Sequence, residues 1–205
     1  MHEEALTKEA AALISLFRRF EGYYMVGGTA LALQIGHRIS IDFDFFSSKE
    51  LPPHLLQRVK RVFSEYPIVV TYAAYEQLNL VINGVKATFF YYEYPVQERF
   101  NIYKGIPLAS VPEIAAMKAF SIGKRIAYKD YVDWYFLLHE GRGDITHIIA
   151  LAQKKYGNDF NDRLFLGQLA SLKDVPTQKI DFLKDEVKRE TIENFLKKTV
   201  KEYMH

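Results

Sequence analysis

The spacing of apolar positions along this chain changes near its middle. Over residues 3–20, Leu6, Ala10, Leu13, Leu16 and Phe17 recur at helical intervals, while Lys8, Glu9, Arg18 and Arg19 fall mostly elsewhere. That pattern predicts a helix ended by Gly22. Residues 23–26 read as a short strand closed by Gly27-Gly28, and 29–34 as a helix with Thr29 near its start. Residues 39–45 alternate as a strand does, with Ile41, Phe43 and Phe45 on one face and Asp42 and Asp44 on the other. Pro52-Pro53 opens a predicted helix reaching to about residue 65, which suits proline in a first turn. Strand-like runs follow at 67–75, 78–82 and 85–92, the last two joined by Asn83-Gly84, a two-residue hairpin signal. Beyond residue 105 the helical period takes over, at 111–126, 129–139, 144–156, 159–171 and 178–203. Pro107, Pro112, Gly141, Gly143 and Pro176 punctuate that half. The pattern predicts an α+β fold, a mixed sheet with flanking helices over 1–105 followed by a helical domain over 106–205.

Composition narrows the chemistry. The chain has 205 residues, 49% of them hydrophobic and 15% aromatic, enough for a substantial core. The 27 basic and 25 acidic side chains leave a formal charge of +2, so net charge does not mark a nucleic-acid binder. There is no cysteine, which excludes disulfides, thiolate metal sites and thiol catalysis. No run of about 18 apolar residues exists and the first residues are charged, so neither a transmembrane helix nor a signal peptide is expected. A soluble, cytoplasmic protein with no membrane partner is the expectation.

The chemically informative stretch runs from residue 27 to residue 46. Paired glycines after a strand let a phosphate approach the backbone closely. The helix start that follows offers unpaired N–H groups and the positive end of a dipole, and Thr29 adds a hydroxyl donor. Asp42 and Asp44, at i and i+2 on one strand face, have Cα atoms roughly 7 Å apart. Their oxygens suit Mg²⁺, which keeps several waters and takes substrate phosphates as further ligands. A lone pair of aspartates on a solvent-facing strand needs no metal to explain it. Here the opposite face is so apolar that the strand is docked on a core, and the Gly-Gly-Thr turn upstream favours a cleft over open solvent.

At these residues the sequence resembles a known family. Gly27-Gly28-Thr29 followed by Asp42 and Asp44 looks like the first motif of DNA-polymerase-β-type nucleotidyltransferases. The fuller string, from Gly27 through Gly36-His37-Arg38 and Ser40 to Phe46, is similar to the AbiEii/AbiGii-type nucleotidyltransferase toxins. Val111 to Lys118, then Arg125, Lys129, Asp130 and Asp133, resembles that family's second motif block. The resemblance spans about residues 22–139. It implies a nucleotidyltransferase-type mixed sheet, with Asp42 and Asp44 as catalytic metal ligands for Mg²⁺ or Mn²⁺. Gly27, Gly28 and Thr29 would bind phosphate, joined by Lys118, Arg125 and Lys129, with Asp130 and Asp133 as structural or site support. The implied partners are a nucleoside triphosphate, an RNA acceptor such as tRNA, and a cognate antitoxin; transfer to a small molecule stays open.

The second block also has a physical reading. If 111–133 is one nearly continuous helix, Lys118, Arg125 and Lys129, spaced by seven and four, share a face that could meet a triphosphate. The bland alternative is a solvated basic stripe with Asp130 and Asp133 as local ion-pair partners. Gly123 is placed to break such a helix.

One position departs from the family pattern. The third carboxylate would fall in the strand after Asn83-Gly84, where this chain has Thr88. Thr88 cannot act as a base near neutral pH. Glu93 has the wrong strand parity to replace it without a bulge, and Glu76 is the other candidate substitute. The expected activity is metal-dependent transfer of a nucleoside monophosphate from an NTP to a hydroxyl or phosphate acceptor. The alternative is a catalytically impaired module that keeps the fold and binds a nucleotide or a partner. Among other residues, His37 and Arg38, between the two motif halves, could touch phosphate or substrate, although a loop histidine is more often merely exposed, and Trp134 is expected in the core.

Overall fold

The computed structural model of the chain describes residues 1–122, 124 and 127–205. Seven strands form one mixed sheet: β1 (Tyr24–Val26), β2 (Phe43–Ser47), β3 (Ile68–Ala73), β4 (Gln77–Ile82), β5 (Val85–Tyr91), β6 (Asn101–Tyr103) and β7 (Ile106–Leu108). Their order is β3-β4-β5-β2-β1-β7-β6, which puts β2 at the centre. β2 runs parallel to β5 and antiparallel to β1. The described helices are α1 (Lys8–Ile14), α2 (Gly27–Ile35), α3 (Leu55–Val62), α4 (Val111–Ser121), α5 (Tyr128–His139), α6 (Ile145–Tyr156), α7 (Asp162–Leu169) and α8 (Arg189–Tyr203). This is the α+β architecture with a mixed sheet that the pattern predicted. Among the described residues, no helix is long and apolar enough to cross a membrane.

Contacts divide the chain into two compact units, one of residues 1–95 and 99–110, the other of 96–98 and 111–205. The first is built on an aromatic core. Phe43, Phe45 and Phe89 leave one face of β2 and β5 and are essentially fully buried. Phe17, from the 3₁₀ turn Ser15–Arg19, packs against them at ring separations of 5.2, 4.5 and 6.3 Å. Phe63, just after α3, closes on Phe17 at 4.8 Å. Each such ring buries on the order of 150–250 Å², so this face of β2 is fixed firmly, and its alternate residues necessarily occupy the other face.

In the second unit, Trp134 of α5 is fully buried and meets Phe165 of α7 at 5.2 Å. Glu113 and Lys155 pair at 2.6 Å with both side chains completely buried, joining α4 to α6. The other Glu113 oxygen accepts from the backbone N–H groups of Gln97 and Glu98, at 3.0 and 3.2 Å. A buried carboxylate bonded on both oxygens ties the 96–98 segment to this unit.

Several expectations need correction. The 3–20 helix is three pieces: a 3₁₀ turn at Glu3–Ala5, α1, and the 3₁₀ turn Ser15–Arg19. Thr7 starts α1 by accepting from the Ala10 N–H, a cap that the apolar periodicity hides. β2 starts at Phe43, so Ile41 lies outside the strand and is 52% exposed instead of facing the core. Residues 178–188 are not helical; only 189–203 form α8. β6 and β7, three residues each, went unpredicted because so short a run shows no alternation.

Candidate active site

The chain turns directly from β1 into α2. The turn is made at Gly27, whose φ of +74° is one that L side chains rarely adopt. A Cβ built on Gly27 would collide with Oδ2 of Asp44, so the carboxylate of Asp44 lies against the start of α2. Register explains this closeness: Val26, the residue before the turn, is the Cα partner of Asp44 across β1 and β2. The N-cap of α2 is Val26, which has no polar side chain to satisfy the first N–H groups. The helix therefore starts two residues earlier than predicted, and the glycines themselves form its first turn.

Gly28 has a different neighbour. A Cβ there would lie 2.5 Å from Nη2 of Arg38 and 3.5 Å from Oγ of Ser40. Arg38 is buried, and its Nη1 donates to the Ile39 carbonyl at 3.1 Å. His37 is completely buried as well. The exposed loop expected at 37–38 is thus an interior segment, which places a guanidinium beside the start of α2. The Gly28 position, which admits no side chain without displacing Arg38, was the sequence signal for this contact.

Thr29 is buried, and its hydroxyl is placed to donate to the Asp42 carbonyl and lies 2.8 Å from Oγ of Ser40. Its observed work is to brace the segment leading to the two acids. Ser40 in turn donates its N–H to the Ala5 carbonyl at 2.9 Å. Asp42 precedes β2 by one residue and Asp44 lies within it, and both are half-buried. The structure therefore brings Gly27, Gly28, Thr29, Asp42 and Asp44 into one neighbourhood.

Thr88 is the Cα partner of Asp44 on β5. Residues in register share a sheet face, so Thr88 stands about 4.8 Å along the sheet from Asp44. Beyond it comes Asn79 of β4, whose Oδ1 accepts from Nε2 of Gln77 at 2.9 Å. The β2–β5 register is unbroken from Phe43↔Ala87 to Ser47↔Tyr91, so no bulge brings Glu93 into this row. Glu93 is exposed and lies two residues past the end of β5. Glu76 is exposed too, and its carbonyl accepts from the Tyr91 N–H at 2.8 Å. That places it three residues, or about 10 Å, along the strand from Thr88. Among the described residues no group of three His, Cys, Asp or Glu is arranged to hold a metal ion. Asp44, and Asp42 just before the strand, offer carboxylate oxygens, the ligand type that Mg²⁺ and Mn²⁺ take together with water and substrate phosphates.

The second motif block is arranged differently from expectation. α4 ends at Ser121 and α5 begins at Tyr128, so 111–133 is not one helix and the seven-and-four spacing does not define a face. Arg125, like Gly123, lies outside the described residues. Lys118 is buried, and its Nζ meets Asp130 at 2.6 Å and Asp133 at 2.7 Å. The two aspartates are neighbours at i and i+3 on α5. The solvated stripe is therefore replaced by a buried cluster that pins α4 to α5. Lys129 is half-buried on α5 beside Asp130.

Comparison with known proteins bears on the family and the fold. The family model described as nucleotidyl transferase AbiEii toxin, type IV toxin–antitoxin system, matches residues 11–99. An uncharacterised protein of Aquifex aeolicus (strain VF5) is 34% identical over 185 residues, 89% of this chain and 88% of that protein. The fold is similar to that of MenT4, a nucleotidyltransferase toxin from Mycobacterium tuberculosis H37Rv, with a TM-score of 0.60 and 16% identity. That match covers 97% of this chain and 86% of MenT4. JHP933 from Helicobacter pylori matches at a TM-score of 0.54 and 18% identity, covering 100% of this chain and 94% of the other.

Proposed function

The chain belongs to the AbiEii nucleotidyltransferase toxin family, and we propose on that premise that it transfers a nucleoside monophosphate from an NTP to an acceptor, releasing pyrophosphate. The observation that carries this reading is the Asp44 carboxylate held against Gly27, at the start of a helix whose N-cap has no polar side chain. In this reading Asp42 and Asp44 hold Mg²⁺ or Mn²⁺, which when bound neutralises charge on the triphosphate and on the leaving pyrophosphate. The backbone N–H groups at the start of α2 take a phosphate oxygen, aided by the helix dipole and approachable because Gly27 and Gly28 carry no side chain. Arg38 places a fixed guanidinium beside the same turn. Thr29 keeps Asp42 in position through its carbonyl. An RNA acceptor and a cognate antitoxin are the partners that family membership supports.

Isothermal titration with a nonhydrolysable NTP, paired with a pyrophosphate-release assay, tests the reading. Metal-dependent binding together with pyrophosphate release is expected. Thr88 in register with Asp44 favours a second reading, a nucleotide-binding module without efficient turnover. Tight NTP binding with no pyrophosphate released against any RNA or small-molecule acceptor would select it.

A further inference from the structure

One face of α3 is basic. His54 precedes the helix, and its carbonyl accepts from the Arg58 N–H at 3.0 Å, so the helical spacing already holds there. His54, Arg58 and Arg61 stand at i, i+4 and i+7, which puts them on one face, about 6 and 4.5 Å apart along the axis. Together with Gln57 they line a recess of about 270 Å³. Arg58 is half-buried and fixed at both ends of its guanidinium. Its Nη2 donates to the Arg19 carbonyl, and its Cζ lies 5.4 Å from the centre of the buried Phe20 ring. His54, Gln57, Lys60 and Arg61 are exposed.

Basic residues in a last turn answer the helix dipole, which accounts for Lys60 and Arg61. It does not account for His54 at the other end, or for a guanidinium held in place in the middle. No carboxylate pairs with Arg58, Lys60 or Arg61 among the described residues. In a chain whose formal charge is only +2, these cations are a local concentration. A recess walled by guanidinium, imidazole and amide groups offers donors in the geometry that phosphate oxygens take, and no apolar wall for a lipid chain or a hydrophobic protein surface. Donors strung along a helix suit a row of phosphates better than a single anion. The surface is also separate from the candidate active site. Phe63, just after α3, packs on Phe17, which covers the face of β2 opposite Asp44.

We propose that the His54–Arg58–Arg61 face of α3 binds the phosphate backbone of a polynucleotide, at a second site on the side of the sheet away from Asp44. This goes beyond the nucleotidyltransferase reading and does not depend on it.

The test is fluorescence anisotropy of the full chain, without NTP, on fluorescein-labelled single-stranded RNA and on DNA of the same sequence, over a salt series. The two arms identify which sugar the polynucleotide carries. Arg58→Gln with Arg61→Gln is compared with Lys173→Gln and Lys201→Gln, a pair of exposed lysines outside this face whose loss changes net charge equally. The arginine pair is expected to weaken binding at least about fivefold and to flatten the slope of log K against log salt by about 1.4, two phosphates at roughly 0.7 each. The lysine pair is expected to stay near the wild type. Arg61→Glu alone, at an exposed position that folding does not depend on, is expected to weaken binding at least about fivefold. Inorganic phosphate, matched in phosphate groups to the RNA, is expected not to displace it. No binding by the wild type in either arm, an equal loss in both pairs, or displacement by inorganic phosphate overturns the proposal. None of these results alters NTP binding at Asp42 and Asp44, which titration calorimetry measures separately.

Discussion

Lys118→Met separates a structural lysine from a phosphate ligand. Nζ of Lys118 sits within 2.7 Å of both Asp130 and Asp133, and all three side chains are at most 4% exposed. Methionine keeps most of the volume but removes the ammonium that both buried carboxylates contact. Breaking a buried ion pair from one side costs about 3–5 kcal/mol. For a chain of this length each kcal/mol lowers Tm by about 2–4 °C, so a fall of roughly 6–20 °C is expected. Differential scanning calorimetry measures it, and the loss should appear in whichever transition contains α4 and α5. Adding Asp130→Asn and Asp133→Asn to Lys118→Met removes the two carboxylate charges and should restore much of the lost Tm. A Tm within about 2 °C of wild type, accompanied by weaker NTP binding, would refute the structural account and return Lys118 to the triphosphate.

Other perturbations test single contacts. Gly27→Ala puts a methyl where Oδ2 of Asp44 lies and forces a non-glycine residue to a φ of +74°. About 1–2 kcal/mol of backbone strain is expected by chemical denaturation, with nucleotidyl transfer reduced further than stability alone explains; unchanged transfer contradicts the geometry. Thr29→Val removes the hydroxyl placed to donate to the Asp42 carbonyl. It should cost about 1–3 kcal/mol and lower metal affinity in titration; unaltered affinity would show that Asp42 needs no brace. Phe17→Ala opens the aromatic core beneath β2 and should cost about 3–5 kcal/mol by urea denaturation. A cost below about 1 kcal/mol would mean that the core collapses around the gap.

The strand positions of the candidate residues were more legible in the sequence than parts of the fold. Residues 43–45 alternate, so Phe43 and Phe45 fixed the side that Asp44 must avoid. Asn83-Gly84 fixed the β4–β5 hairpin, and with it the strand on which Thr88 falls. What could not be read was long-range pairing. Lys118 finds Asp130 twelve residues away because α4 and α5 are separate helices, and one helical projection drawn over both puts these groups on the wrong face. Arg38 looked like a loop residue because its burial depends on Gly28 in another element. β6 and β7 escaped because three residues cannot display a period, and 178–188 looked helical although an apolar-polar mixture alone does not supply a capped helix.

The central claim is that the carboxylates of Asp42 and Asp44 act together with the Gly27 turn on a triphosphate. Comparison of wild type with Asp44→Asn for label transfer from α-³²P-labelled NTP tests it most directly, with circular dichroism melting of both proteins as the control. The account predicts transfer reduced at least about 100-fold, or about 2.7 kcal/mol of transition-state stabilisation, with Tm little changed because Asp44 is half-buried on the face away from the aromatic core. Transfer that survives the substitution in a folded protein contradicts it.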